Sequence, residues 1–147
     1  MRDHLVMDAN SARTLLLAQH DAIRDCLREC LALSGRRSAN GCDQLELVIA
    51  LDRLRSEIYK HNLSESSLLR VLFVNTKGWG EQLIGRMTDE HLAEHVAMWS
   101  VLDQPALLVA AQLDDLAELL DAHMSCEERT FLAPNVLRTD VITSHRL

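Results

Sequence analysis

The chain of 147 residues has few aromatic residues and no excess of positive charge. Phe, Trp and Tyr make up 3% of it, so it lacks a platform on which the bases of single-stranded nucleic acid could stack. Its 15 Lys and Arg residues are outnumbered by 22 Asp and Glu residues, which gives a formal net charge of −7. Nucleic acid and anionic membrane surfaces are therefore disfavoured as partners, because both attract a basic face.

Long apolar segments are also missing. No stretch approaches the ~18 consecutive apolar residues that cross a bilayer, and the first residues contain no sustained apolar run typical of a signal peptide. We therefore expect a cytoplasmic protein in which the four cysteines, Cys26, Cys30, Cys42 and Cys126, are free thiols. The apolar fraction of 48% is ample for the core of one folded domain.

Apolar residues recur at steps of three and four along four segments, and no segment alternates as a strand would. The most regular stripe is Leu47, Leu51, Leu54, Ile58, His61, Glu65, Leu68 and Leu72. We predict helices from about residue 11 to Leu33, from after Asp43 to about Asn75, over a third stripe that ends near Leu102, and from Pro105 to Ala133.

Short connections between the last three helices imply antiparallel neighbours. The pattern predicts an all-α protein, an up-down-up-down four-helix bundle over residues 11–134, with an N-terminal arm at residues 1–10 and a C-terminal tail at residues 135–147.

Polar residues interrupt all four apolar stripes. They are His20 on the first, His61 and Glu65 on the second, His91 and His95 on the third, and His123 and Glu127 on the fourth. Residues four apart lie on one helix face, about 6 Å apart, and bridged metal ions lie about 3.5–4 Å apart. Left unpaired in an apolar interior, each of these groups would cost about 1–3 kcal/mol. The stripes therefore predict a dinuclear metal site.

The chemistry of the seven donors restricts the metal. Imidazole-rich sites suit Fe, Zn, Cu or Ni, and seven donors exceed the four that close a structural zinc site. Ferritin-like di-iron bundles carry Glu-x-x-His motifs, which are not aligned that way here. If both Glu residues and an oxide or hydroxide bridge two octahedral ions, one position stays open, which is what a small diatomic ligand requires.

The order His, His-x-x-x-Glu, His-x-x-x-His, His-x-x-x-Glu resembles hemerythrin and the hemerythrin-like HHE cation-binding domains. The segments LLAQHDAIRDCL, HNLSESSLL and HMSCEERTFLAP are similar to the signatures of the family's first, second and fourth helices. The resemblance implies two non-haem irons with an oxo or hydroxo bridge, which take O2 or a related ligand such as NO or peroxide. It also implies that the bridging carboxylates are Glu65 and Glu127, that one iron is held by His91, His95 and His123, and that the iron with the open position is held by His20 and His61.

An apolar pocket around the open position is a further implication of the resemblance, with candidates Ile23, Leu119, Leu120 and Met124. Asn62 departs from the family, which often has an aromatic residue just after the second-helix His. A polar group near bound O2 favours its loss as superoxide or peroxide. Asn62 therefore keeps open an alternative function, a di-iron oxidase or peroxidase-like enzyme on the same bundle.

Other interpretations are weaker. A histidine phosphotransfer module is also a four-helix bundle, but it needs one exposed His, whereas five lie on the stripes here. Cys126 fits a small core thiol better than a group that approaches the site. Glu90, Glu94 and Glu128 flank candidate ligands and either orient their imidazoles or belong to an exposed acidic face. No feature identifies a protein partner.

Overall fold

The computed structural model describes residues 7–37 and 44–136. Their regular elements are all helices, which confirms the all-α prediction: α1 (Ala9–Arg37), α2 (Gln44–Val74), α3 (Glu81–Leu102), α4 (Ala106–Ala111) and α5 (Leu113–Arg129). Most of the predicted arm and tail, together with Cys42, lie outside the described residues.

Helix α1 begins two residues before the predicted position because Asp8 caps it. The Asp8 carboxylate accepts a hydrogen bond of 2.7 Å from the backbone N–H of Ser11, which satisfies one of the free donors of the first turn. The helix also continues past Leu33, so that Gly35 lies inside it. Between α2 and α3 the chain turns at Gly78, whose φ of 81° is accessible to glycine without strain.

The predicted fourth helix is divided at Gln112. Its backbone (φ −106°, ψ 12°) leaves the helical region, and its N–H donates to the carbonyl of Val109 rather than to that of Leu108. The Gln112 side-chain amide instead donates to the Leu108 carbonyl, at 3.2 Å, and to the Gln104 side chain, at 2.9 Å. The prediction of one continuous helix is therefore wrong: a short α4 precedes α5.

Two apolar clusters fill the interior. The large cluster consists of Ile23, Leu27, Cys30, Leu33, Leu47, Ala50, Leu51, Leu54, Ile58, Met98, Leu102, Val109, Leu113, Leu116, Leu120 and Met124. The small cluster consists of Ala9, Ala12, Leu16, Leu69, Leu72, Phe73, Phe131 and Leu132. Along α1, along α2 and from α5 to Leu132, the predicted metal donors fall between residues of the two clusters. On α3 they fall between Met98 of the large cluster and the partly buried Ile84 and Met87, which pack against the small one, so a polar layer separates the clusters.

The order of the clusters alternates from helix to helix. Along α1 the small cluster comes first, with Leu16, and the large cluster second, with Ile23. The order is large then small on α2, and also along α5 and the residues that follow it. On α3 the partly buried Ile84 and Met87, which pack against the small cluster, precede Met98 and Leu102 of the large one. The packed pairs of long helices are α1 with α2, α2 with α3, α3 with α5 and α5 with α1.

Aromatic side chains lie at the boundary between the small cluster and the polar layer. Phe73 and Phe131 meet edge to face with ring centroids 4.8 Å apart, and Trp79 packs on Phe73 at 5.3 Å. The ring of His91 lies 5.9 Å from that of Phe131, so one face of the candidate site is an apolar wall.

None of the helices in the described ranges is both long enough and apolar enough to cross a bilayer.

Candidate metal centre

The structure brings all seven predicted donors together in the polar layer. Each is buried, from 0% exposed for His20 and Glu65 to 8% for His95. The i, i+4 spacing has the predicted effect: the Nε2 atom of His61 lies 2.7 Å from Glu65, and that of His123 lies 2.9 Å from Glu127.

Glu65 connects α2 with α3. One carboxylate oxygen contacts Nε2 of His61, and the other lies 2.9 Å from Nε2 of His91 and 2.7 Å from Nε2 of His95. The carboxylate therefore lies between imidazoles of two helices.

Glu127 occupies the equivalent position on the α5 side. Its Oε1 lies 2.9 Å from Nε2 of His123 and 3.5 Å from that of His20, and its Oε2 lies 3.3 Å from Nε2 of His91. A fourth contact, from Oε1 to Nε2 of His61, measures 3.8 Å. Donors from all four long helices thus surround this carboxylate.

The donor atoms form two overlapping groups whose ligand atoms lie within 4.8 Å of one another. One group is Glu65, His91, His95 and His123, and the other is His20, His61, Glu65 and Glu127. Each group can hold one metal ion, and Glu65 belongs to both. The arrangement therefore suits two neighbouring ions that share a carboxylate.

Unpaired buried atoms test whether these residues fit metal ions. Among the described residues, nine buried side-chain N or O atoms have no hydrogen-bond partner, and seven of them belong to predicted donors. They are Nε2 of His20, His61, His95 and His123, Oε1 of Glu65 and both carboxylate oxygens of Glu127. Such atoms are costly in a protein interior, and bound cations would satisfy them. The residues present therefore fit a metal pair.

Charges in the centre are strongly coupled when no metal is bound. Burial opposes a charged imidazole, but the two carboxylates outweigh it and raise the pKa of His61 to about 9 and that of His91 to about 10. The pKa of His123 is raised for the same reasons, chiefly by Glu127 against burial. Burial likewise opposes charged carboxylates, but the imidazoles lower the pKa of both Glu65 and Glu127. Metal ions would replace the protons that hold this cluster together.

Three of the five imidazoles are anchored through their other ring nitrogen. Nδ1 of His20 lies 2.9 Å from Glu128, and Nδ1 of His123 contacts Glu94. A carboxylate accepts from an N–H, so in both rings Nδ1 carries the hydrogen and Nε2 is left free to bind a metal. Glu94 and Glu128 therefore orient ligands, although Glu94, like Glu90, is exposed.

Gln19 anchors the third imidazole and was not predicted. Its Oε1 lies 2.9 Å from Nδ1 of His61, and its Nε2 donates to Ser64 at 2.8 Å. The signal in the sequence is slight: a Gln next to His20, on the side of α1 that faces α2. Such a contact depends on how two helices pack, which the spacing along one helix does not show.

The predicted pocket residues fall into two sets. Ile23, Leu120 and Met124 are buried in the large cluster, and Asn62 is 9% exposed with neither atom of its amide hydrogen-bonded. Leu119 is 40% exposed, because it lies at the margin of the buried stripe of α5, and its place in the pocket is untested. A role in ligand binding for the other four stays a prediction.

Cys126 also differs from its predicted position. It is exposed on α5 and is absent from both donor groups, so the interpretation as a core thiol is wrong. Of the three cysteines in the described ranges, Cys30 is the buried one, and burial raises its pKa to about 12, which keeps it protonated and unreactive.

Comparison with known proteins gives one result. The hemerythrin HHE cation binding domain family matches residues 11–133, and the chain belongs to this family. The buried cluster of His and Glu residues fits the metal site that such a domain contains. No curated protein and no solved structure matches the chain.

Proposed function

We propose that this protein binds a pair of non-haem iron ions and uses them to take O2 or a related small ligand such as NO or peroxide. The convergence of seven buried donor side chains, six of which place ligand atoms there without a hydrogen bond, carries the proposal. Imidazole-rich sites with a few carboxylates favour iron over the hard cations Mg²⁺ and Ca²⁺. Membership of a cation-binding family agrees with this choice.

In the proposed arrangement the long helices run up-down-up-down, which is supported by the alternating order of the two clusters along them. One iron is held by Glu65 with His91, His95 and His123, and the other by both carboxylates with His20 and His61. Glu127 also lies 2.9 Å from Nε2 of His123 and 3.3 Å from that of His91, so it would bridge to the first iron. With an oxo or hydroxo group between the ions, the first iron would then have five protein ligands and the second four, which would leave a position on the second open. The bound pair supplies redox-active ions on which a small ligand can be held.

The protein side chains enclose that position and fix its ligands. Gln19 and Glu128 hold His61 and His20 by their outer ring nitrogens, so both rings keep their orientation. Ile23 and Met124 are buried in the large cluster, and their apolar side chains keep water out of the interior. The Asn62 amide has two N–H donors without a partner in the described structure, and can donate one to a ligand.

An oxidase or peroxidase-like activity is the second candidate, and the buried amide of Asn62 favours it. A hydrogen-bond donor beside bound O2 promotes its loss in reduced form. Stopped-flow mixing of the reduced protein with O2 separates the two functions. An absorbance change that reverses when O2 is removed supports binding, and rapid irreversible oxidation supports the enzyme.

Among the described residues, no exposed histidine supports a phosphotransfer role. All five histidines in the described ranges are buried, and none is available to a phosphodonor.

Metal analysis tests the proposal directly. We expect two irons per chain and a visible absorption band after exposure to air. The double variant His91→Ala and His95→Ala should contain less iron, whereas Glu118→Ala, on the exposed face of α5, should contain as much as the wild type. A protein that contains no iron after expression and does not bind added ferrous ion would contradict the proposed function.

A further inference from the structure

A groove between α2 and α3 leads from the surface to the candidate metal centre. Its volume is about 630 Å³, and His91 and His95 are both among the residues that line it. His95 also lines a neighbouring hollow of about 440 Å³ beside Trp99. The candidate ligands on α3 thus border open space, although less than a tenth of each is exposed.

In the described structure, the two imidazoles on α3 also lack the hydrogen bond at the outer ring nitrogen that anchors the other three imidazoles. Within residues 7–37 and 44–136, Nδ1 of His91 and Nδ1 of His95 have no hydrogen-bond partner, whereas His20, His61 and His123 each have one. Nε2 of His95 is itself a buried atom without a hydrogen bond, 2.7 Å from Glu65. These two rings can therefore turn more freely than the others.

Oxygen acceptors line the way from the surface to these rings. Asp89 and Glu81 contribute carboxylates. The hydroxyls of Ser66 and Thr88 each donate to a carbonyl of their own helix, at 2.9 and 2.8 Å, so their oxygens face other groups only as acceptors. Carboxylate and hydroxyl oxygens are suited to a hydrated divalent cation. One side chain in the groove, Arg70, opposes a cation.

We propose that the α2–α3 groove is the port through which divalent iron reaches the buried centre. Asp89 and Glu81 attract the hydrated ion, and His95 and His91 take it up and pass it to Glu65. This inference rests on the proposed function, because it requires that the centre binds iron. Uptake by the metal-free protein tests it, with ferrous ion under anaerobic conditions and with Co²⁺ as an air-stable spectroscopic probe.

Gly85 allows the groove to be filled. A Cβ added there would have no atom within 4 Å, so Gly85→Phe places a ring in the groove without a backbone clash. We expect this variant to take up metal more slowly than the wild type, while its final metal content is unchanged. Ala93→Phe, at an exposed position on α3 outside the groove, should take up metal like the wild type. If Gly85→Phe fails to fold by circular dichroism, Leu92→Trp fills the same groove from an exposed position.

Charge variants test the groove in opposite directions. At low ionic strength Asp89→Asn should slow uptake and Arg70→Gln should speed it, each by up to roughly tenfold, and added salt should reduce both effects. Asp114→Asn changes the net charge as Asp89→Asn does, but lies exposed on α5 away from the groove, and should leave the rate nearly unchanged.

The results distinguish this inference from the proposed function. Equal rates in Asp89→Asn and Asp114→Asn, or rapid uptake by a folded variant with a filled groove, would overturn the port while the wild type still binds its metal. A wild-type protein that takes up neither ion would overturn the proposed function itself.

Discussion

The two ends of the candidate metal centre are built differently. At the enclosed end, formed by His20 and His61, both residues are at most 2% exposed and both outer ring nitrogens bond to protein side chains. At the open end, formed by His91 and His95, the rings line a groove and in the described structure their outer nitrogens have no protein partner. One end is enclosed by protein side chains, and the other borders open space.

This difference separates two tasks within a single site. Fixed imidazoles preserve the geometry on which ligand binding depends, whereas imidazoles that can turn allow an ion to arrive and settle. Glu65, which belongs to both donor groups, couples the two ends.

Removal of the shared carboxylate should have the largest effect. Glu65→Ala takes a ligand from both donor groups, and we expect loss of both irons by elemental analysis. His20→Ala affects the enclosed end alone, since the group of Glu65, His91, His95 and His123 stays intact, and should keep about one iron per chain. Equal iron content in the two variants would mean that the ends do not bind separately.

The stability of the metal-free protein should depend on pH through the imidazoles at both ends of the centre. The folded-state pKa values of His61 and His91, about 9 and about 10, exceed the ordinary value of 6.5. Their stabilising effect is therefore complete below pH 6.5 and is lost as the pH rises through 9 to 10. We expect the free energy of unfolding in urea to fall by a few kcal/mol over that interval.

The carboxylates determine how the stability of the metal-free protein changes at acid pH. The pKa values of Glu65 and Glu127 are lowered from 4.5, so their contribution is present above pH 4.5 and is lost as the pH falls below it. With metal bound, the stability should instead increase toward alkaline pH. Fewer protons then compete for the ligands, so the affinity for the metal rises with pH. Unfolding free energies of the metal-free protein that increase from pH 6.5 to 10 would contradict the charges assigned to the centre.

Loss of an anchor should weaken the enclosed end selectively. Glu128 bonds to Nδ1 of His20 and to Arg24 at 2.7 Å. We expect Glu128→Ala to lower the affinity for one of two Co²⁺ ions by about 10- to 100-fold, the range seen when such outer partners of metal ligands are removed. Titration followed by visible absorption measures both ions. Glu118→Ala, exposed and remote, is the matched control, and a loss shared equally by both ions would argue against a local role.

Substitution of Asn62 should have the smallest effect of these changes. Its amide is buried without a hydrogen-bond partner in the described structure, so Asn62→Leu, which is similar in size, should stabilise the metal-free protein by about 1 kcal/mol. The iron-loaded variant should also oxidise more slowly in air, if the amide faces the enclosed end. A decrease in the urea midpoint would show that the amide has partners that the geometry does not reveal.

The sequence predicted the burial of the seven candidate donors well because helical periodicity is a local property. His61 and Glu65 take the place of apolar residues on a stripe with steps of three and four, and the period of that stripe is enough to put both side chains in the interior. The family resemblance rests on the same residues. The bounds of α2 and the end of α3 also agree with the structure within a residue or so.

The remaining differences arise from contacts that spacing does not encode. The break at Gln112 depends on a side-chain amide that competes for the carbonyl of Leu108. Gln19 becomes an anchor because of how α1 packs on α2, and Leu119 is exposed because its position at the margin of a stripe is decided by neighbouring helices. The groove beside His95 is likewise a property of two helices and not of either one.

Every long helix contributes to the centre, from His20 on α1 to Glu127 on α5, although these residues are far apart in the chain. Ions bound there would link segments that are remote in the chain, and their binding energy would stabilise the folded state. A chain made during iron shortage would forgo this reinforcement and unfold more often, which exposes it to proteases. We therefore expect the cellular abundance of the protein to rise and fall with iron supply, even at a constant rate of synthesis.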